Sequence, residues 1–372
     1  MNKKIVISIN TSWNIINFRM GLLKALQKEG YEIVVVAPED KYSELFKTHN
    51  FKYYDVSINN KGSNPIEDIK LTFDYYKLFK EIQPDIILNY TIKPNIYGTI
   101  AASMLNIKTI NNIAGLGTLF VDENIITKIA KYLYKYSQSK ASHVFFQNSD
   151  DYKLFTDKKL VDINKCGVLP GSGVDTNIFK PIEVIRSDDK VVFLLIARML
   201  WDKGIKEYVE AARIIKDKYP HTEFQLLGFL DVANKSAISK EQMDIWVNEG
   251  IINYLGVSDN VRVEISKADC IVLPSFYREG TPRTLLESAS MAKPIITTDN
   301  VGCRDVVDDE STGYICKIKS SEDLVQKIER MIHLGIDKRI SMGKAGRKKI
   351  INQFSETIVV DKYKEQILNI LS

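Results

Sequence analysis

Short apolar runs alternate with longer helical patterns twice along this chain, and that alternation confines it to α/β folds with parallel sheets. In the first half, residues 4–9, 32–36, 86–89, 109–111 and 144–146 read as strands. Helical patterns fall at 18–28, 66–82, 97–105 and 125–137. The second half repeats the scheme, with strands at 191–197, 223–227, 270–273 and 295–297 and a helix at 205–219. Between the halves, Gly171-Ser172-Gly173, Pro181 and Asp188-Asp189 gather the residues that interrupt regular structure. At 372 residues the chain exceeds what one hydrophobic core supports. The expectation is two doubly wound domains, 1–172 and 191–354, joined by a linker at 173–190 and followed by a final helix at 355–372.

Composition excludes several classes. Hydrophobic residues at 45% and charged residues at 26% are ordinary globular values and leave no room for extensive disorder. The apolar run at 5–9 is broken by Ser8 and too short for a signal-peptide core, and nothing approaches the roughly 20 apolar residues that span a bilayer. Cys166, Cys270, Cys303 and Cys316 are scattered and show neither a zinc spacing nor a disulfide frame, which fits a reducing cytoplasm. The four histidines are equally dispersed, so no metal site is expected. A net charge of +4 is compatible with an anionic substrate or membrane surface. Nucleic acid is a poor partner, because the basic residues are interspersed with acids and no binding module is present.

Chemistry concentrates where two strands of the second half end. The run from Glu279 through Gly280, Thr281, Pro282 and Arg283 to Glu287 leaves the 270–274 strand and opens a helix, with Thr281 suited to cap it and Pro282 to its first position. Free N–H groups there attract an anion to Gly280 and Thr281. The carboxylates need hydroxyl partners, such as those of a sugar or ribose, or else Glu287 pairs with Arg283 one turn earlier and Glu279 complements the helix dipole. The strand at 191–197 is followed by Arg198 and then Lys203-Gly204, so two cations share one strand-to-helix loop. In open α/β sheets ligands bind outside the carboxyl ends of strands, and Arg and Lys there suit phosphate oxygens; a solvated charged turn is the alternative.

Arg198 with Lys203-Gly204, Tyr254-Leu255-Gly256, Leu273-Pro274-Ser275, Glu279 with Glu287, Lys293-Pro294, Val301-Gly302 and Thr312-Gly313-Tyr314 resemble, in order over residues 191–320, the nucleotide-sugar half of family 4 glycosyltransferases. Within that family the segment from Ala197 to Gly204 and the loop Gly115-Leu116-Gly117 are most similar to bacterial enzymes that add N-acetylgalactosamine or a related sugar to undecaprenyl-diphosphate-linked acceptors. The resemblance implies the GT-B architecture: two Rossmann-like domains facing a cleft, donor on the second, acceptor on the first, and a C-terminal helix that crosses back to the first. It implies a retaining, metal-independent hexosyltransferase in glycan, O-antigen or capsule assembly, with a UDP-sugar as donor substrate and no cofactor. Arg198 and Lys203 would neutralise the departing diphosphate, and Glu279 would hold donor-sugar hydroxyls. Glu287 would hold the ribose, and backbone near Gly256, Gly280 and Thr281 would complete donor binding.

The acceptor side is less marked. Asn14 and Arg19 lie near the first helix, Lys93 follows the strand at 86–89, and Gly115, Gly117 and Thr118 follow the strand at 109–111. Each has an ordinary reading as loop chemistry. Lys128, Lys131 and Lys135 recur at helical spacing beside Ile125, Ile126, Ile129, Tyr132, Leu133 and Tyr136, a pattern that suits either an anionic membrane surface or a helix packed on a sheet. Enzyme placement is therefore expected to be cytoplasmic, peripheral on the inner membrane. Other readings are a nucleotide-sugar epimerase and a noncatalytic sugar-binding protein; neither first-strand turn offers the glycine fingerprint of a nicotinamide dehydrogenase.

Overall fold

In the computed structural model, which describes residues 3–59, 64–115, 125–184, 189–230, 232 and 234–372, the chain divides into two compact units. Unit 1 comprises Met1–Ser172 with Glu356–Ser372, and unit 2 comprises Gly173–Ser355. Among the described residues no helix is long and apolar enough to cross a membrane.

Unit 1 is built on seven parallel strands: β1 (Lys4–Ser8), β2 (Glu32–Ala37), β3 (Lys52–Asp55), β4 (Ile86–Tyr90), β5 (Lys108–Ile113), β6 (His143–Phe146) and β7 (Cys166–Val168). Their order is β3-β2-β1-β4-β5-β6-β7, with Ser8 of β1 opposite Asn89 of β4. Successive side chains of a strand point to opposite faces. Ile5, Ile7 and Ile9 accordingly pack on Leu22, Leu23 and Leu26 of the Met20–Lys28 helix and on Tyr363 and Ile367 of the Glu356–Leu371 helix. Val6 meets Tyr75, Phe79 and Ile82 of the Pro65–Ile82 helix on the other face. Each such fully buried large side chain contributes about 2 kcal/mol of transfer energy.

Unit 2 repeats the plan with β8 (Val191–Ile196), β9 (Thr222–Leu227), β10 (Asn253–Tyr254), β11 (Cys270–Leu273), β12 (Ile295–Thr298) and β13 (Gly313–Cys316), in the order β10-β9-β8-β11-β12-β13. Phe193 and Leu195 face Ile205, Tyr208 and Ala212 of the Ile205–Lys218 helix. Leu194 and Ile196 face Leu285, Leu286 and Ala289 of the Arg283–Ser290 helix. Strands buried on both faces read as unbroken apolar runs, which is why they were legible.

Four strands were not expected: β3, β7, β10 and β13. They are short and all four lie at sheet edges, so pairing with an existing neighbour, rather than their own pattern, makes them strands. The helix expected at 18–28 starts earlier and breaks. Thr11 accepts the Asn14 N–H at 3.1 Å and caps a Ser12–Phe18 helix, and Arg19 (φ −130°, ψ −6°) separates it from Met20–Lys28. The helix expected at 97–105 begins as a π-helical turn, Pro94–Gly98, after Thr91, whose φ of 66° is unusual for a β-branched residue. Finally, the stretch expected to link the domains packs into unit 2. Val174 N–H donates to Phe354 O at 2.9 Å, and Arg347 donates to the carbonyls of Thr176 and Phe179 at 3.1 Å each.

Candidate functional site

In unit 2 the sheet order places β8 beside β11, the point from which the chain connections leave in opposite directions. A crevice at the carboxyl ends of those two strands follows from that topology. Arg198 and Lys203 come from the loop after β8, and Ser275 to Glu287 from the loop after β11. Two glycines let these loops approach. Gly204 has φ 73°, and a Cβ on it would collide with the Pro274 carbonyl; Gly302, φ 78°, stands in the same relation to Gly280 O.

Lys203 and Glu279 meet directly: Nζ is ion-paired with Oε1, with the two side chains only 10% and 15% exposed. The pair is held from several sides. Ser275 Oγ donates to Glu279 Oε1 at 3.4 Å, and the Lys203 ammonium lies 4.9 Å from the Tyr277 ring centre. The Asp202 carbonyl accepts from the N–H groups of Phe276 and Tyr277 at 3.0 Å each, which ties the two loops together. Asn300 Nδ2 donates to Tyr277 O at 2.7 Å from the loop after β12. Arg198 is exposed, with no side-chain hydrogen bond or ion pair among the described residues. Its charge is nevertheless felt at Tyr277, whose phenol is pushed up by burial first, further up by Glu279, and drawn down by Arg198. Lys203 thus pairs with Glu279 beside the Tyr277 ring, and the charges of Glu279 and Arg198 both act on that phenol.

Glu287 is placed otherwise. The helix begins at Arg283, with Pro282 in the cap position (φ −62°, ψ 117°) making no side-chain cap bond, so the expected Thr281 cap with Pro282 inside the helix is one residue early. Proline has no N–H to be satisfied and its fixed φ suits the junction. Arg283 Nε donates to Glu287 Oε1 at 2.8 Å, one turn apart, with side chains 14% and 9% exposed. Burial raises the Glu287 carboxyl above its usual range and Arg283 draws it back down. The second oxygen of Glu287 has no hydrogen-bond partner among the described residues. Gly280 and Thr281 are buried beside Glu279. Gly256, φ 72°, has open space where a Cβ would stand, and its carbonyl accepts from Gly228 N–H at 2.8 Å beyond β9.

Of the acceptor-side residues in unit 1, Lys93 is committed elsewhere. Its ammonium pairs with Asp68 at 2.8 Å, with 15% and 11% exposure, and Tyr97 donates to the other Asp68 oxygen at 2.7 Å. Lys93 is thus held in a nearly buried ion pair with Asp68, as Lys203 is with Glu279. Asn14 and Arg19 lie after β1, and Asn14 Oδ1 is buried without a partner. Gly115, φ 107°, lies just past β5; Gly117 and Thr118 fall outside the described residues. Among the described residues no three metal-type ligands converge. Tyr277 and Asn300 brace the pair and were not singled out from the sequence, whereas Ser275 was named there only within Leu273-Pro274-Ser275. Tyr277 sits two residues before Glu279 and could have been flagged as an aromatic beside a cation, whereas nothing local marks Asn300.

Comparison with known proteins puts these residues in context. The family model for glycosyl transferases group 1 matches residues 177–349, and that for glycosyl transferase 4-like proteins matches residues 4–148. The chain is 29% identical over 366 residues to the N,N'-diacetylbacillosaminyl-diphospho-undecaprenol alpha-1,3-N-acetylgalactosaminyltransferase of Campylobacter jejuni, covering 94% of each. It is 23% identical to the UDP-Gal:alpha-D-GlcNAc-diphosphoundecaprenol alpha-1,3-galactosyltransferase of Escherichia coli, covering 93% of this chain and 91% of that one. Among solved structures, a glycosyltransferase from Rickettsia africae superposes with a TM-score of 0.82 at 20% identity, covering 100% and 99% of the two chains. Anabaena HepE in complex with UDP and glucose gives 0.77 at 16% identity, covering 98% and 99%. These likenesses establish the GT-B kind of fold.

Proposed function

Since the chain belongs to the group 1 glycosyltransferases, with a glycosyltransferase 4-like half before the group 1 domain, we propose that it moves a hexose or N-acetylhexosamine, N-acetylgalactosamine foremost, from a UDP-sugar to an undecaprenyl-diphosphate-linked saccharide. The observation that carries this is the Lys203 and Glu279 pair beside exposed Arg198 at the β8 and β11 strand ends. Each partner prefers a different part of a sugar nucleotide. The ammonium and guanidinium take the diphosphate, and the carboxylate accepts hydrogen bonds from sugar hydroxyls. The pair keeps both side chains ordered before the ligand arrives, so little rotamer entropy is lost on binding. As the bond from the anomeric carbon to the β-phosphate oxygen breaks, negative charge grows on that oxygen, and fixed cations lower the barrier. Attack from the same face, with the departing phosphate oxygen accepting the acceptor hydroxyl's proton, gives retention. Glu287 contributes its unpartnered oxygen to the ribose, and Gly256, Gly280 and Thr281 contribute backbone. Asn14, Arg19 and Gly115 contact the acceptor.

The decisive measurement is transfer from a panel of UDP-sugars to undecaprenyl-diphosphate-linked sugars. An elongated lipid-linked product with release of UDP is expected. Conversion of the UDP-sugar to its epimer without any acceptor, or stabilisation by no nucleotide sugar at all, would overturn the reading.

Membrane attachment belongs to the same proposal. The Ile125–Lys140 helix has four lysines and no acidic residue. Tyr134 turns inward at 1% exposure while Ile129, Tyr132 and Tyr136 stand 55%, 70% and 44% exposed among Lys128 and Lys135. Apolar and aromatic side chains displayed beside cations suit an anionic leaflet, and the helix would hold the enzyme peripherally on the cytoplasmic face. Each lysine near such a surface contributes about 1 kcal/mol, so replacing Lys128, Lys131 and Lys135 with serine should weaken vesicle partitioning roughly a hundredfold. Co-sedimentation with anionic vesicles measures this, and unchanged sedimentation would remove the helix from the membrane contact.

A further inference from the structure

The switch point of unit 1 carries a cation too, and this one is buried. β1 and β4 are neighbours there, and Arg19 follows the first while Tyr90 ends the second. Arg19 is only 7% exposed, and its guanidinium lies 4.5 Å from the Tyr90 ring centre. Among the described residues it has no carboxylate partner. Its one side-chain hydrogen bond is from Nη1 to Phe18 O at 3.4 Å, and Nε is buried without an acceptor. That contact folds the guanidinium back over the junction where the nine-residue Met20–Lys28 helix starts. A buried charge without a counter-ion opposes folding, and a planar fork with idle donors is matched by phosphate oxygens.

The surroundings are braced rather than adaptable. Tyr90 and Tyr363 are each 1% exposed with ring centres 6.2 Å apart. Asn112 Nδ2 donates to Tyr363 OH at 3.0 Å, Gln147 Nε2 to Asn112 Oδ1 at 3.0 Å, and Asn95 Nδ2 to Asn112 O at 2.8 Å. Burial raises both phenols above their usual value, so neither is an anion that could neutralise Arg19. Asn95 Oδ1 and Asn14 Oδ1, on either side of the switch point, are also buried without partners. The Glu356 carboxylate rests against Gly21 in the first turn of the same helix, so an anion already fits at that helix start.

We propose that this cluster is a diphosphate seat in which the Arg19 guanidinium, supported on Tyr90 and Tyr363, grips the diphosphate of the lipid-linked acceptor rather than that of the nucleotide. The assignment rests on the transferase reading above and gives it a second, separate anion site. Tyr90 and Tyr363 act as positioning residues.

Titration of the full chain, saturated with UDP, with farnesyl diphosphate tests it. The wild type should bind one equivalent. Arg19→Gln should weaken that binding about thirtyfold or more, leave UDP affinity within twofold, and leave the melting temperature unchanged or raised, because an uncompensated buried charge has been removed. Arg19→Lys, which keeps the charge and loses the fork, should fall between and remains informative if Arg19→Gln folds poorly. Unchanged affinity in these variants would overturn the proposal. So would loss of wild-type binding when UDP saturates the protein, since the diphosphate would then belong to the donor. Absence of UDP binding would instead count against the transferase reading itself.

Discussion

Lys203→Ala is expected to lower turnover at saturating substrates about a hundredfold or more, the usual consequence of losing one preorganised group worth about 3 kcal/mol to the transition state. The reason is geometric. Lys203 reaches Glu279 and the Tyr277 face from a loop pinned by Gly204 against Pro274. The fold should survive, because the Glu279 carboxylate is 15% exposed and retains Ser275 as a donor. Glu279→Gln should show a comparable loss, and the double variant should lose much less than the two losses multiplied, since the two side chains form one unit. Steady-state transfer rates together with UDP affinity check this. Near-wild-type turnover in Lys203→Ala would withdraw the leaving-group role.

Arg283→Met should cost about 3–5 kcal/mol of unfolding free energy, the range for breaking a buried pair from one side. It leaves Glu287, whose side chain is 9% exposed, without its partner, and it also removes the Arg283 hydrogen bond to the Gly173 carbonyl. The pH dependence follows in sign. Burial holds the Glu287 carboxyl above its ordinary value against the downward pull of Arg283, so losing Arg283 raises it further. A carboxyl raised in the folded state binds its proton more readily there than in the unfolded chain. Stability from this group is therefore present below the ordinary carboxylate value and lost as pH rises through the raised one. Urea denaturation should show a larger deficit at about pH 8 than at about pH 5.5. Adding Glu287→Met should recover most of it. A deficit independent of pH would show that the Gly173 contact, not the carboxylate, carries the loss.

The residues that could be read ahead of the structure share a physical property: their meaning lies in local pattern. Strands such as β1, β8 and β11 are apolar throughout because both faces are covered, and the Glu356–Leu371 helix is periodic along its length. Arg198, Lys203 and Glu279 were singled out because they lie in the loops after two recognisable strands, and the structure pairs Lys203 with Glu279 there. Lys93 was singled out in the same way, and only the tertiary structure shows it paired with Asp68 from the Pro65–Ile82 helix. Glu287 had two readings from spacing alone, a hydroxyl-binding carboxylate or a partner for Arg283. The structure gives one oxygen to Arg283 and leaves the other without a hydrogen-bond partner among the described residues.

Burial and long-range pairing divide what was visible from what was not. The amino-acid order alone determined the two α/β halves and the placement of cations and carboxylates after particular strands, because periodicity and chain direction are local properties. Tertiary structure decided that Lys203 touches Glu279, that Asn300 braces Tyr277, and that Arg19 lies buried on Tyr90 with no counter-ion among the described residues. Those facts depend on which strand ends become neighbours at a switch point, and strand order arises from the packing of the whole sheet rather than from any segment of it.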